Sequence, residues 1–296
     1  MNIKLSPKIL LPLGVLGASF SSILVRFSQA PSLVTATYRL LWAVILLSFW
    51  VFFRCRADFK SVKKSDLLYC GCSGFFLALH FASWFESLKH TSITSSTVLV
   101  ATEVIFTSLG FVLFLKGKIP QKAALCIAIT FMGSILIALG DQGGGASNAL
   151  WGDLLSLAAA IFVSVYTLIG RRQRGHLSTT IYTYLTYCAC ALTLHCLDFA
   201  SGTPVTGYPL RESLIGLGLA VFCTLMGHSV FSYCLKFLSP AYVSSVKLCE
   251  PIGATLLGML FFSEFPGIFQ IAGGIVVLCG VMYYTVLDQK AERQEV

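Results

Sequence analysis

Residues 246–258 read VKLCEPIGATLLG, from Val246 to Gly258. Apart from Lys247 and Glu250 the stretch is apolar or small, and Pro251 stands where it is expected to break a helix. It belongs to a chain of 296 residues that is 56% hydrophobic and 11% charged, with mean hydropathy +0.81. Soluble domains carry about 25% charged residues. The composition therefore points to an all-α integral membrane protein, and it makes Lys247 and Glu250 charges within a membrane span. Each costs roughly 2.5–3.5 kcal/mol at the bilayer centre on insertion scales, so each needs a partner, a hydrated cavity or a function.

Working outward from this stretch, ten apolar runs of spanning length lie near 8–26, 32–53, 66–88, 92–115, 122–140, 150–170, 178–199, 211–237, 241–262 and 266–287. Lys4 and Lys8 ahead of the first run also fit a secretory leader, but Arg26 occupies the place of a cleavage site and argues against one. With the N-terminus inside, sixteen Lys and Arg fall on the inner side, and only Arg26, Lys89 and Arg211 on the outer. This positive-inside bias puts both termini in the cytoplasm and the protein in the cytoplasmic or inner membrane. It also accounts for the net charge of +8 without nucleic acid as a partner. The eleven cysteines lie mostly inside apolar runs with no zinc-type spacing, and read as small packing residues. No metal or cofactor is expected.

The two halves correspond. A shift of 147 residues lays LVATEVIFTSLGF (99–111) on VKLCEPIGATLLG, pairing Glu103 with Glu250, Ile105 with Ile252 and Leu109 with Leu256. It also pairs Leu88 with Leu235, Lys89 with Lys236, Ser92 with Ser239, Phe114 with Phe261 and Gly133 with Gly280. The expected organisation is ten transmembrane helices in two five-helix repeats, 8–140 and 149–287, followed by a cytoplasmic tail, 288–296. An odd number of helices per repeat inserts the second upside down. Inverted repeats of this kind are a transporter plan, with the site near the midplane between the repeats.

Several in-span polar residues are candidates for that site. Lys247 and Glu250 stand i,i+3 and can neutralise each other, or line a cavity that meets a polar or zwitterionic solute. Pro251 frees a backbone carbonyl one turn earlier, which favours the cavity reading. Glu103 has Val100 where its counterpart has Lys247. It is therefore expected to clamp Arg39 or to couple proton movement. His80 and Trp84, four residues apart, form one candidate wall, and His228 with Tyr233 the corresponding place in the second half. A core histidine bonded to a neighbour and an interfacial tryptophan are the bland alternatives. Glu86 and Lys89 read as a solvated pair. The sequence contains no HExxH, no GxSxG with triad partners and no phosphate-cradling glycine loop, so no enzyme is expected. DQGGG (141–145) reads as a linker between repeats.

SFSSILVRFSQAP–SLVTATYRLLWA, LALHFASWFESLKHTSITSSTVLVATEVIFTSLGFVLFLKGKIP and GHSVFSYCLKFLSPAYVSSVKLCEPIGATLLGMLFFSE together resemble the EamA family of the drug/metabolite transporter superfamily, over nearly the whole chain. The resemblance implies two tandem units around a central cavity lined by helices 1, 3, 4 and their mates 6, 8, 9. That puts His80, Trp84, Glu103, Tyr166, His228, Tyr233, Lys247 and Glu250 on lining helices. It further implies a permease for amino acids or other small metabolites, mostly exporters. One departure is the end of helix 4, where Lys116-Gly117 replaces the acidic residue that helix 9 keeps as Ser263-Glu264.

The expected function is thus alternating-access transport of a small polar or amphipathic metabolite, with protons as a candidate coupling ion and Glu103 as their carrier. Uptake or exchange of a cofactor or nucleotide-like metabolite is the alternative. A membrane-embedded lipid-modifying enzyme or a non-transporting receptor is the remote one. The expected assembly is a monomer or homodimer in the lipid bilayer.

Overall fold

In this computed structural model three of the helices begin at side-chain caps or at a carboxylate that reaches back to the cap residue. Ser92 Oγ accepts the Ser95 N–H at 3.1 Å, Ser178 Oγ accepts the Ile181 N–H at 3.4 Å, and the Asp66 carboxylate accepts the Lys63 N–H at 2.8 Å. The structure describes residues 7–115, 121–141, 148–173, 177–234, 247 and 249–294. Lys116-Gly117, residues 142–145 of the DQGGG stretch, and the side chains of His228 and Tyr233 lie outside the described residues.

The chain folds as α1 (Pro7–Phe27), α2 (Ser32–Arg54), a 3-10 turn (Arg56–Ser61), α3 (Lys64–His90), α4 (Ile93–Ala101), α5 (Glu103–Leu115) and α6 (Gln121–Asp141). It continues as α7 (Ala149–Gln173), α8 (Thr179–Ala200), α9 (Leu210–Gly218), a π-helical segment (Leu219–His228), α10 (Ser229–Cys234), α11 (Cys249–Phe262) and α12 (Ile268–Gln294). No strand occurs among the described residues. Among them five helices are long and apolar enough to cross a membrane, and shorter apolar helices include Ile93–Thr107, Cys249–Phe262 and Ile268–Tyr283. Phe49, Trp50, Phe52, Phe53 and Leu192 are exposed, an apolar surface suited to lipid and not to water.

Helix α3 is the hub. It packs most extensively on α7 and α8, while α6 pairs with α12, and α1 lies against the π segment and α11. Phe81, Phe85, Leu77 and Leu88 form its fully buried flank. Close approach of α3 to α8 depends on Gly74, where an added Cβ would sit 2.6 Å from the Thr186 carbonyl oxygen.

Three local features differ from the expected helices. The run 92–115 is interrupted at Thr102, whose hydroxyl donates back to the Leu99 carbonyl at 2.6 Å, so that Glu103 opens a new helix. The run 211–237 contains the π segment, where the Thr224 hydroxyl donates to the Leu219 carbonyl five residues earlier at 3.2 Å. Pro251 does not end its helix: Lys247 is helical, and α11 runs through Pro251 to Phe262. The turn after α11 passes through Ser263 at φ +55°, a left-handed conformation that costs a non-glycine residue roughly 1–2 kcal/mol.

Candidate functional site

All three irregularities border one cavity of about 90 Å³. Helix α1 contributes Ala18 and Ser21, α2 Arg39, and α3 His80 and Trp84. Glu103 enters at the start of α5, Cys223 from the π segment, and Lys247, Glu250 and Pro251 from the α11 side. Four ionisable side chains of balanced charge, Arg39, Lys247, Glu103 and Glu250, thus converge between segments far apart in the sequence.

Their pairing is not the expected one. Lys247 Nζ donates to Glu103 Oε1 at 2.7 Å, with the two side chains 33% and 19% exposed, and not to Glu250 three residues away on its own helix. Arg39 does not clamp Glu103. Its guanidinium Nε donates to Thr224 Oγ1 at 2.8 Å, Nη1 donates to Ser21 Oγ at 3.0 Å, and the Phe81 ring lies 4.2 Å away. Neutral hydroxyls and an aromatic face therefore solvate this buried cation. The π turn is what brings Thr224 to it. The Glu250 backbone carbonyl accepts the Ser19 hydroxyl at 3.2 Å, but its carboxylate has no hydrogen bond or ion pair among the described residues.

His80 and Trp84 do share a face, with ring centroids 5.8 Å apart and planes 22° from parallel. The Nδ1 of His80 donates to the Ala159 carbonyl at 2.9 Å. A carbonyl only accepts, so Nδ1 carries the proton and a neutral ring keeps a lone pair on Nε2. The indole N–H of Trp84 has no acceptor among the described residues. Tyr166 packs against the main apolar core and is not part of the cavity wall. Sequence reasoning missed Ser21, Thr97 and Cys223 as wall residues. The small hydroxyls inside SFSSILV and TSSTVL were the available signal.

Above the cavity, at the end bearing the α1–α2, α3–α4 and α11–α12 turns, a polar network closes the bundle. Arg26 Nη1 pairs with Glu264 Oε1 at 2.7 Å, Arg26 Nη2 donates to the Thr91 carbonyl at 2.7 Å, and Arg26 Nε donates to the Leu88 carbonyl. The other oxygen of Glu264 accepts the Ile93 N–H at 2.9 Å, at the N-terminus of α4. Phe27 packs on Phe261 and Phe262, with centroids 5.9 and 5.0 Å away. Lys89 donates to the Ala30 carbonyl at 3.2 Å, and Arg211 to the Phe27 carbonyl at 2.7 Å. Glu86 bonds His90 at 3.1 Å, so the expected Glu86–Lys89 pair is replaced by two separate contacts.

An all-helical chain with an apolar exterior, and with charges gathered around an internal cavity, defines a multi-pass membrane protein with a polar interior. The chain belongs to the EamA-like transporter family, which it matches over residues 7–139 and again over 150–286. It is similar to an uncharacterized transporter of Archaeoglobus fulgidus, 28% identical over 98% of this chain and 99% of the relative. The uncharacterized inner membrane transporter YedA of Escherichia coli is 27% identical over 82% and 78% of the two chains. A transporter of Clostridium kluyveri, also uncharacterized, is 26% identical over 85% and 82%. A crystal structure superposes with a TM-score of 0.64 over 97% of this chain and 98% of the other, at 14% identity, a likeness of fold alone. Family and relatives point to a membrane transporter rather than an enzyme.

Proposed function

We propose that the protein is a secondary transporter that moves a small polar or amphipathic metabolite, such as an amino acid or a related compound, out of the cell by alternating access. In this reading ten helices cross the membrane as two inverted repeats, 8–140 and 149–287, with both termini cytoplasmic. The Arg26–Glu264 end is then the outer face. The observation that carries the proposal is the charged cavity beneath a closed polar network: groups costly to bury face a hollow, and one end of that hollow is sealed. Glu264 belongs to the second repeat unit and Arg26 to the first, so rocking of the units against each other opens this seal.

Within the cavity, an acid group of the solute competes with Glu103 for Lys247, and an amine meets Glu250. His80 and Trp84 supply hydrogen bonding and stacking. His228 and Tyr233 are proposed to contribute from the second half, with Arg39 and Pro251 as structural or gating residues. The test is flux of labelled amino acids, nucleotides and cofactors in proteoliposomes. A transported compound is expected, with flux reduced at least tenfold by Lys247→Ala and by Glu250→Ala. Normal flux in both variants overturns the site, and no flux of any compound overturns the transporter reading.

A further inference from the structure

Resting on this transport reading, we infer that Glu250, and not Glu103, is the carboxylate that carries a coupling proton, and that the proton and the ammonium of an amine-bearing solute occupy it in turn. Of the four charges on the cavity wall, three are already held. Lys247 and Glu103 hold each other at 2.7 Å, and Arg39 is held by Thr224, Ser21 and the Phe81 ring. The Glu250 carboxylate faces the cavity with no partner among the described residues.

While the cavity is open, water solvates this carboxylate. When the cavity closes to change sides, that water is lost, and an ionised carboxylate without a partner becomes expensive at membrane depth. Two states avoid the cost: a protonated Glu250, and a Glu250 paired with a solute cation. The empty, ionised carrier is the state that does not cross. Inward return with a proton then alternates with outward passage of the solute, one proton entering for each solute leaving. The proton is taken from water on one side by the carboxylate oxygen and given back to water on the other. No other bond forms or breaks.

Other charged and titratable groups surround Glu250 on the cavity wall. Facing it are Lys247 from its own side, Glu103 from α5, Arg39 from α2, His80 from α3 and Cys223 from the π segment. Lys247 and Glu103 cancel as a pair. Arg39 is the remaining cation on the cavity wall. The Ser19 hydroxyl of α1 donates to the Glu250 backbone carbonyl, and so fixes the position of the helix without occupying the carboxylate.

A test that needs no known substrate uses dicyclohexylcarbodiimide, which reacts with protonated carboxyls in apolar surroundings. The full-length protein in liposomes is treated across a pH series and the adduct is located by mass spectrometry. Labelling is expected at Glu250, falling as pH rises, with Glu103 at least tenfold less labelled because its carboxylate is held by Lys247. Labelling of Glu103 in preference to Glu250, or no pH-dependent labelling at Glu250, overturns the inference. The measurement is made on the wild type, so a folding defect in Glu250→Gln does not affect it. A second arm measures flux of the compound found in the proteoliposome screen. An inwardly directed proton gradient should drive export in the wild type and not in Glu250→Gln. Flux indifferent to that gradient removes the coupling while leaving the transporter reading intact.

Discussion

Replacing Glu264 by Gln keeps the shape of the Arg26 network and removes its negative charge. Two contacts weaken at once, the 2.7 Å pair with Arg26 and the 2.9 Å bond from the Ile93 N–H. Fully buried, hydrogen bonds to a charged group contribute about 1.5–3 kcal/mol each. Here both side chains are a quarter exposed, and water screening brings the combined loss to about 1–2 kcal/mol. That corresponds to roughly a 5–30-fold larger population of states open at this end. Hydrogen–deuterium exchange of the detergent-solubilised protein reads the opening directly, because amides protected only by the closed state exchange in proportion to the open population. The amides of Thr91 and Ile93 should exchange about 5–30 times faster in Glu264→Gln, with those of the α3–α8 contact around Gly74 unchanged. Equal exchange in the two proteins, or acceleration spread evenly over all helices, would show that the network closes nothing.

Three further outcomes follow from the same contacts. Glu103→Gln and Lys247→Gln should each lower thermal stability in detergent, and the double variant should lose less than the sum, with a coupling of about 1–3 kcal/mol in a double-mutant cycle. Gly74→Val should destabilise by about 1–3 kcal/mol in the same unfolding assay, because its side chain must displace the Thr186 backbone on α8. Arg39→Lys keeps the charge but cannot reproduce the Nε and Nη1 bonds together with stacking on Phe81. A lower melting temperature is therefore expected, whereas an unchanged one would mean that charge alone matters at this position.

The broad architecture is legible in the sequence because hydrocarbon selects composition directly. Long apolar runs, rare internal charges and short turns survive any rearrangement of side chains. The interruption at Thr102 and the π turn at Leu219–His228 are not legible, since an apolar run reads alike whether its helix is regular, broken or widened. The candidate site was half legible. The cost of burying charge singles out Arg39, Glu103, Lys247 and Glu250, but not their partners. The i,i+3 spacing pairs Lys247 with Glu250, whereas the nearest carboxylate in space belongs to Glu103, 144 residues earlier. Arg39 draws a carboxylate in sequence reasoning and finds hydroxyls instead, because Ser21 and Thr224 become neighbours only through helix packing. Small hydroxyls in apolar helices look like packing residues until a cation is seen beside them.

The central claim is that the cavity opens to one face as it closes to the other. Spin labels placed at Gln29 and Gly267 report the Arg26 end, and labels at Leu10 and Ser178, which lies beside the 3-10 turn that follows α2, report the opposite end. Pulsed electron–electron double resonance on the wild type and on Glu264→Gln should show the first distance lengthening and the second shortening in the variant. Distances that stay fixed, or that lengthen together at both ends, would contradict the account.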